Sequence, residues 1–343
     1  MRLAMDAMGG DNAPREPVLG ALQAVQTYPD AEIILVGHEE AIRRFLPAGI
    51  ERQVPRLSIH HAPECVEMGD APIDTLRSKP RNSITESVAL VAAGKADAAI
   101  SAGNTGAFVA AATLALRPLA GVRRPGIAVA MPSITGHTTV IDMGANIQCK
   151  PIHLFQYAVM ASIYHRYVVG IAKPTVGLLN VGSEDGKGTP LMKKAYSLLA
   201  ASSLNFIGNV EGGDIFNGRC DVVVCDGFVG NVLLKAAEGF GESIMHSLRE
   251  AGRRDLWGRL GLNLLRPTLR EMAKWTDFAE YGGAPLLGVE GECIICHGRS
   301  DARAFCNAIR SALAFARQNV NSHIVAAIAA EQAALANAHQ SAE

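Results

Sequence analysis

Apolar residues along the chain gather in runs of four or five, each closed by Gly, Asp, Asn or Pro, with longer stretches of helical periodicity between them. The runs Leu3–Ala7, Glu32–Val36, Leu57–His61, Ala98–Ser101, Thr138–Ile141, Val176–Leu179 and Val222–Cys225 predict buried strands. The intervening patterns predict helices over Glu16–Val25, Ser83–Ala93, Thr105–Leu116, Ile152–Tyr167 and Leu191–Ala201. This alternation predicts an α/β fold: a mainly parallel sheet with helices on both faces. Ligands of such sheets sit at the carboxyl ends of strands.

Those ends are where the sequence concentrates its small polar residues. Five predicted strands run into Asp6-Ala7-Met8-Gly9-Gly10-Asp11-Asn12, Ser101-Ala102-Gly103-Asn104-Thr105-Gly106, Asp142-Met143-Gly144-Ala145-Asn146, Asn180 to Gly188, and Asp226-Gly227-Phe228-Val229-Gly230-Asn231. A plain connection needs only one Gly or Asn, so the repetition predicts a composite site lined by backbone amides. Gly103 to Gly106 open a helix, which aims free N–H groups and the positive end of a dipole at whatever sits there. The bland alternative is a Gly-rich turn with Asn104 or Thr105 as N-cap.

Composition narrows the options. The 343 residues carry 32 Lys+Arg against 33 Asp+Glu, a formal charge of -1, so no global field draws nucleic acid or anionic lipid and anion binding must be local. Met1 to Asp6 reach an acid before an apolar signal core can form, and the seven cysteines fit reduced thiols, so a cytoplasmic protein is expected. No apolar stretch approaches the ~18 residues of a spanning helix; Phe155 to Ala172, interrupted by His165 and Arg166, reads as a buried helix. The domain reading is one catalytic α/β unit over 1–320, open to division into two sub-domains around a central cleft, with an Ala-rich tail over 321–343.

Several motifs fail on inspection. Gly182 to Thr189 resembles a phosphate-binding Walker loop but is one residue short and has Gly188 where Ser or Thr must hold magnesium, so an ATPase is excluded. What survives is Lys187 on a Gly-flanked loop, a cation for an oxyanion or a solvated surface lysine. Cys293-Ile294-Ile295-Cys296-His297 matches the haem-attachment string, yet its isoleucines suit a buried strand and zinc would lack its other ligands. His297 stays open as a base or a strand-end residue capping backbone. The segment 248–276 carries both tryptophans and seven basic residues against three acids; it predicts a basic amphipathic protrusion, divided into two helices by Pro267.

The strings DAMGGDNAP (6–14), ADAAISAGNTGA (96–107), DMGAN (142–146), GLLNVGSEDGKG (177–188), GNVEGGDIFNGRCDVVVCDGFVGNVLLKAAEG (208–239) and YGGAPLLGVEGECIICHGRS (281–300) together resemble the PlsX family of bacterial acyl-ACP:phosphate acyltransferases. The match runs in order from about Leu3 to Phe315. Ser183, where the family usually has Glu, and Asn82, where it has Ser, are departures. The resemblance implies an isopropylmalate-dehydrogenase-like fold and transfer of a long-chain acyl group from acyl carrier protein to inorganic phosphate. It further implies a homodimer with no metal or redox cofactor, peripheral contact with the inner membrane face, and delivery of acyl phosphate to a glycerol-3-phosphate acyltransferase.

On that resemblance Lys187 and Asn231 are the expected catalytic residues. Asp6, Gly9, Gly10, Ser101, Gly103, Asn104, Thr105, Gly106, Asp142, Asn146, Asn180, Asp226, Gly227 and His297 are expected around phosphate and thioester. Arg253, Arg254, Arg259, Arg266 and Arg270 are expected to meet the carrier protein or lipid headgroups. Three alternatives stay open: an acetyl-CoA-dependent phosphate acetyltransferase, which a donor comparison separates; a dehydrogenase of the same fold, which a nicotinamide-binding titration exposes; and a non-catalytic membrane scaffold, which phosphate-dependent thioester loss rejects.

Overall fold

The computed structural model describes residues 1–50, 54–254, 256–275 and 282–340. The chain opens with β1 (Arg2–Asp6), α1 (Arg15–Thr27), β2 (Glu32–Gly37), α2 (Glu39–Arg43), β3 (Leu57–His61), α3 (Pro72–Ser78), α4 (Ser83–Ala92), β4 (Ala98–Ser101) and α5 (Thr105–Ala115). A hairpin of β5 (Gly126–Ser133) and β6 (Gly136–Ile141) leads to α6 (Pro151–Tyr164) and a π-helical turn, His165–Val169. Next come β7 (Thr175–Leu179), α7 (Pro190–Ala200), β8 (Asn205–Val210), α8 (Gly212–Asn217) and β9 (Val222–Val224). Two long helices, α9 (Gly227–Arg254) and α10 (Leu256–Trp275), precede β10 (Ala284–Leu287), β11 (Glu292–Ile295), α11 (Ala302–Arg317) and α12 (Val320–Gln340).

The strands form one sheet in the order β3-β2-β1-β4-β11-β10-β5-β6-β9-β7-β8. Pairing is parallel throughout except where β10 meets β11 and β5, and where β5 meets β6. The fold is therefore α/β with a mainly parallel sheet, as the alternation predicts. The antiparallel centre makes the two parallel runs point in opposite senses.

Period-2 alternation explains how both faces are covered. Leu3, Met5, Ile33, Leu35, Ala98 and Ile100 pack with Phe305, Ile309 and Val18 of α11 and α1. Their neighbours Ala4, Val36 and Ala99 face the other side, among Ile84, Val88 and Phe108 of α4 and α5. That second cluster continues across the sheet to Val140 and Val223, while Val222, Val224, Val176 and Leu178 turn to α6, α7 and α12. A strand buried on both faces must read as a continuous apolar run, which is what the sequence shows.

Two expectations change. The strands β5, β8, β10 and the long helix α9 add to the predicted elements; β5 contains Pro132 and β8 contains Gly208 at φ +94°, both of which weaken a strand signal. Pro267 does not divide the basic segment. It lies inside α10. Asn263, whose carbonyl Pro267 cannot satisfy, is exposed, which leaves that carbonyl open to solvent. The Ala-rich tail forms α12 and is docked by it: Ile324 and Ile328 are fully buried, and Glu331 accepts hydrogen bonds from Ser203 Oγ and from the Ser203 N–H at 3.3 Å.

Candidate functional site

The carboxyl ends of β1, β4 and β11 make a first constellation. Asp6, fully buried at the end of β1, accepts hydrogen bonds from Ser101 Oγ at 2.6 Å and from the Met8 N–H at 3.0 Å, with Ser83 and Gly9 as further donors. Burial raises its pKa and these bonds oppose the rise. Ser101 Oγ also accepts the Gly103 N–H at 3.0 Å. A Cβ at Gly9 would stand 2.5 Å from both Asp6 Oδ2 and the Gly103 nitrogen, so only glycine lets the two turns touch. Gly10, at φ +108°, lies against the Gly298 carbonyl, which accepts the Asp11 N–H at 2.7 Å.

Asn104 is the N-cap of α5. Its Oδ1 accepts the Ala107 N–H at 3.0 Å, and its Nδ2 lies within hydrogen-bond reach of the carbonyls of Glu67, Met68 and Asp70, which ties down the loop after β3. The amides the sequence assigns to phosphate are thus partly spent. Gly103 serves Ser101 and Ala107 serves Asn104. The N–H groups of Thr105 and Gly106, both exposed at the helix mouth, are free of protein acceptors among the described residues. Asn82 caps α4 in the same way, accepting the Thr85 N–H at 2.8 Å, so Asn in place of Ser preserves the capping function.

A second constellation follows β6 and β9. Asp142, fully buried, accepts the N–H groups of Ile127, Gly144, Ala145 and Asn146; burial raises its pKa while these bonds oppose it. Asn146 Nδ2 donates to the Pro125 carbonyl at 2.6 Å and lies 2.9 Å from Tyr157 Oη. Gly227 packs on Asn146, and Gly230 packs on the Asp142 carbonyl. Asp226 caps α9 by accepting the Phe228 and Val229 N–H groups, each at 3.0 Å. One turn into α9, Asn231 is exposed beside Gly144. Asp6 and Asp142 therefore act as buried acceptors that shape their own turns, since the protein occupies their oxygens, and half-buried Asp226 uses Oδ1 to cap α9.

Lys187 lies on the loop after β7. Asn180 donates to the Lys187 carbonyl at 3.1 Å and to Asn209 Oδ1 at 3.1 Å, and Asn209 donates to the Glu184 carbonyl at 2.8 Å. The Lys187 side chain is 54% exposed, with Glu184 Oε1 at 3.8 Å.

Helix α9 links the constellations. Its Glu238 lies 3.5 Å from His297 Nε2, and its Glu242 pairs with Arg299 at 2.5 Å. His297 Nδ1 accepts the Arg299 N–H at 3.1 Å, so the strand-end reading of His297 describes one of its bonds. Desolvation lowers the His297 pKa, and Glu238 opposes this. Lys235, Glu238, Glu242 and Arg299 escape sequence reasoning, although the spacing Asn231, Lys235, Glu238, Glu242 marks one face of a helix.

Cys293 and Cys296 are buried in clusters on opposite faces of the sheet, which one haem cannot bridge; burial pushes the Cys296 thiol up to about 12. On α9 and α10, Arg253 is exposed beside Glu250 and Arg266 is exposed, among exposed Phe240, Trp257, Leu264 and Leu265. The side chains of Arg254, Arg259 and Arg270 lie outside the described residues. No helix among the described residues is long and apolar enough to cross a membrane.

A family model described as "Fatty acid synthesis protein" matches residues 1–323. The chain is 47% identical over 322 residues to a phosphate acyltransferase of Brevibacillus brevis, covering 94% of this chain and 95% of that one. It is 49% identical over 314 residues to one from Desulfitobacterium hafniense, covering 91% and 93%. Among solved structures, a phosphotransacetylase from Streptococcus pyogenes superposes with a TM-score of 0.59 at 18% identity, covering 92% of this chain and 94% of that one. A branched-chain phosphotransacylase from Enterococcus faecalis gives 0.53 at 14%, covering 92% and 98%. At these identities the structural likeness establishes a shared fold.

Proposed function

The chain belongs to the fatty acid synthesis protein family, and from that premise we propose that it transfers a long-chain acyl group from acyl carrier protein to inorganic phosphate. It is an enzyme of the phosphate acyltransferase class. The observation that carries the reading is 47% identity over 94% of the chain to a phosphate acyltransferase. In the reaction a phosphate oxygen bonds to the thioester carbonyl carbon, the C–S bond breaks, and its electron pair leaves on the carrier's sulfur, which takes a proton from solvent.

Phosphate must be desolvated and aimed, and the carbonyl oxygen gains charge as it is attacked. The Thr105 and Gly106 amides at the positive end of α5 suit the first task. Lys187 and the Asn231 carboxamide suit the second, because both are exposed donors with few protein partners. No acyl-enzyme is required. Asp6, Ser101, Asp142 and Asn146 serve by fixing the turns that present these donors.

The basic, apolar surface of α9 and α10 suits a finer role in a homodimer, with Arg253 and Arg266 toward the carrier protein and Trp257, Leu264 and Leu265 toward the inner membrane face. Product acyl phosphate would then pass to a glycerol-3-phosphate acyltransferase. The test is purified protein with palmitoyl carrier protein, with and without phosphate, trapping acyl phosphate with hydroxylamine. Phosphate-dependent product is expected. Preference for acetyl-CoA over the palmitoyl carrier would replace this reading with a phosphate acetyltransferase.

A further inference from the structure

Helix α9 leaves the second constellation and reaches the first with Asn231, Lys235, Glu238 and Glu242 along one face. Glu238 is the hub of that stripe. Its side chain is only 11% exposed, and Lys235 Nζ donates to its carboxylate at 2.8 Å while His297 Nε2 lies at 3.5 Å. Because His297 Nδ1 accepts the Arg299 N–H, the ring proton sits on Nε2 and points to Glu238. Arg299 is held in turn by Glu242.

Shielding a carboxylate from water is unfavourable unless its partners compensate. A lysine that needs only a counter-ion finds an exposed one, as Lys187 does with Glu184. Here a shielded acid, braced from the other side by a histidine, fixes an ammonium that is itself 59% exposed. The arrangement holds a cation in one place while leaving its remaining protons to solvent. It does so one helical turn from Asn231, on the element that joins the two sets of turns.

We propose that Lys235 binds a phosphoryl oxyanion of the substrates, with Glu238 and His297 as its positioning residues. The inference rests on the acyl-transfer reading and adds a ligand to it. The oxyanion has two sources, free phosphate or the phosphodiester of the carrier protein's prosthetic arm, and steady-state kinetics separates them.

Initial rates of the full-length protein with palmitoyl carrier protein and phosphate are measured while each substrate is varied, for wild type, Lys235→Ala, Lys235→Arg and Glu238→Gln. Loss of one charge-assisted hydrogen bond predicts that Lys235→Ala raises one KM about ten-fold or more and leaves kcat within about three-fold. Lys235→Arg restores most of that KM, and Glu238→Gln raises the same KM by less. A rise confined to phosphate identifies the free anion, and a rise confined to the carrier identifies its phosphodiester; either supports the proposal. Unmoved KM values, equal rises in both, or a fall in kcat alone overturn it while the acyl-transfer reading stands. A wild type without phosphate-dependent thioester loss overturns both.

Discussion

The Asp6 turn and the Lys187 loop are built in opposite ways. Asp6 is fully buried, and its carboxylate gathers donors from Ser101, Ser83, Met8 and Gly9. Lys187 is 54% exposed and meets one acid at 3.8 Å. The conspicuous polar residues divide accordingly. Those at strand ends shape backbone, and those left with open valences are available to a substrate. A residue's bonding, rather than its polarity, separates the two roles.

The largest expected effect falls on the loosely held side. Lys187→Ala should lower kcat about 100- to 1000-fold, the value of one oxyanion donor, while the urea midpoint stays within what about 0.5 kcal/mol allows. A large loss of stability would place Lys187 with the structural residues instead. On the buried side, Gly9→Ala drives a methyl group into Asp6 and Gly103, and should destabilise by about 1–3 kcal/mol in urea unfolding.

Glu292 sharpens the contrast because it is a shielded acid without the donors Asp6 has. Its Oε2 finds no partner, and desolvation, with Asp97 nearby, raises its pKa to about 8. The folded state therefore binds more protons than the unfolded state between the ordinary carboxylate value of 4.5 and about 8, and stability attributable to Glu292 falls as pH rises through that window. Glu292→Gln should make the protein more stable than wild type at pH 8 by roughly 1–3 kcal/mol, a gain that vanishes near pH 4.5, read from thermal or urea unfolding. The smallest effect is expected at the rim. Reversing Arg253 and Arg266 to Glu should weaken carrier-protein binding several-fold at low salt, an effect that fades by about 0.5 M salt.

Much of this was legible beforehand. Each of the five strand-to-helix turns was marked by its own Asn and Gly, four of them with Asp as well, and the N-cap reading of Asn104 needs only its relation to Ala107. Less visible was how those polar atoms are used. Nothing in Gly103 announces that its N–H belongs to Ser101, and nothing in Asp142 announces that it collects four backbone donors, one of them from Ile127. The hub at Glu238 was hidden for a different reason. Its partner His297 lies 59 residues away (297 minus 238), in a motif that reads as a metal-binding string.

By itself the sequence determined the alternation of strands and helices, the turn grammar and the family, because these depend on residues within a few positions of one another or on their order along the chain. Tertiary structure decided which amides are spent, that the sheet centre runs antiparallel, and that α9 joins His297 to the turn of Asp142. Those outcomes rest on strand order and on which helix lies over which edge, where burial and shape outweigh local preference.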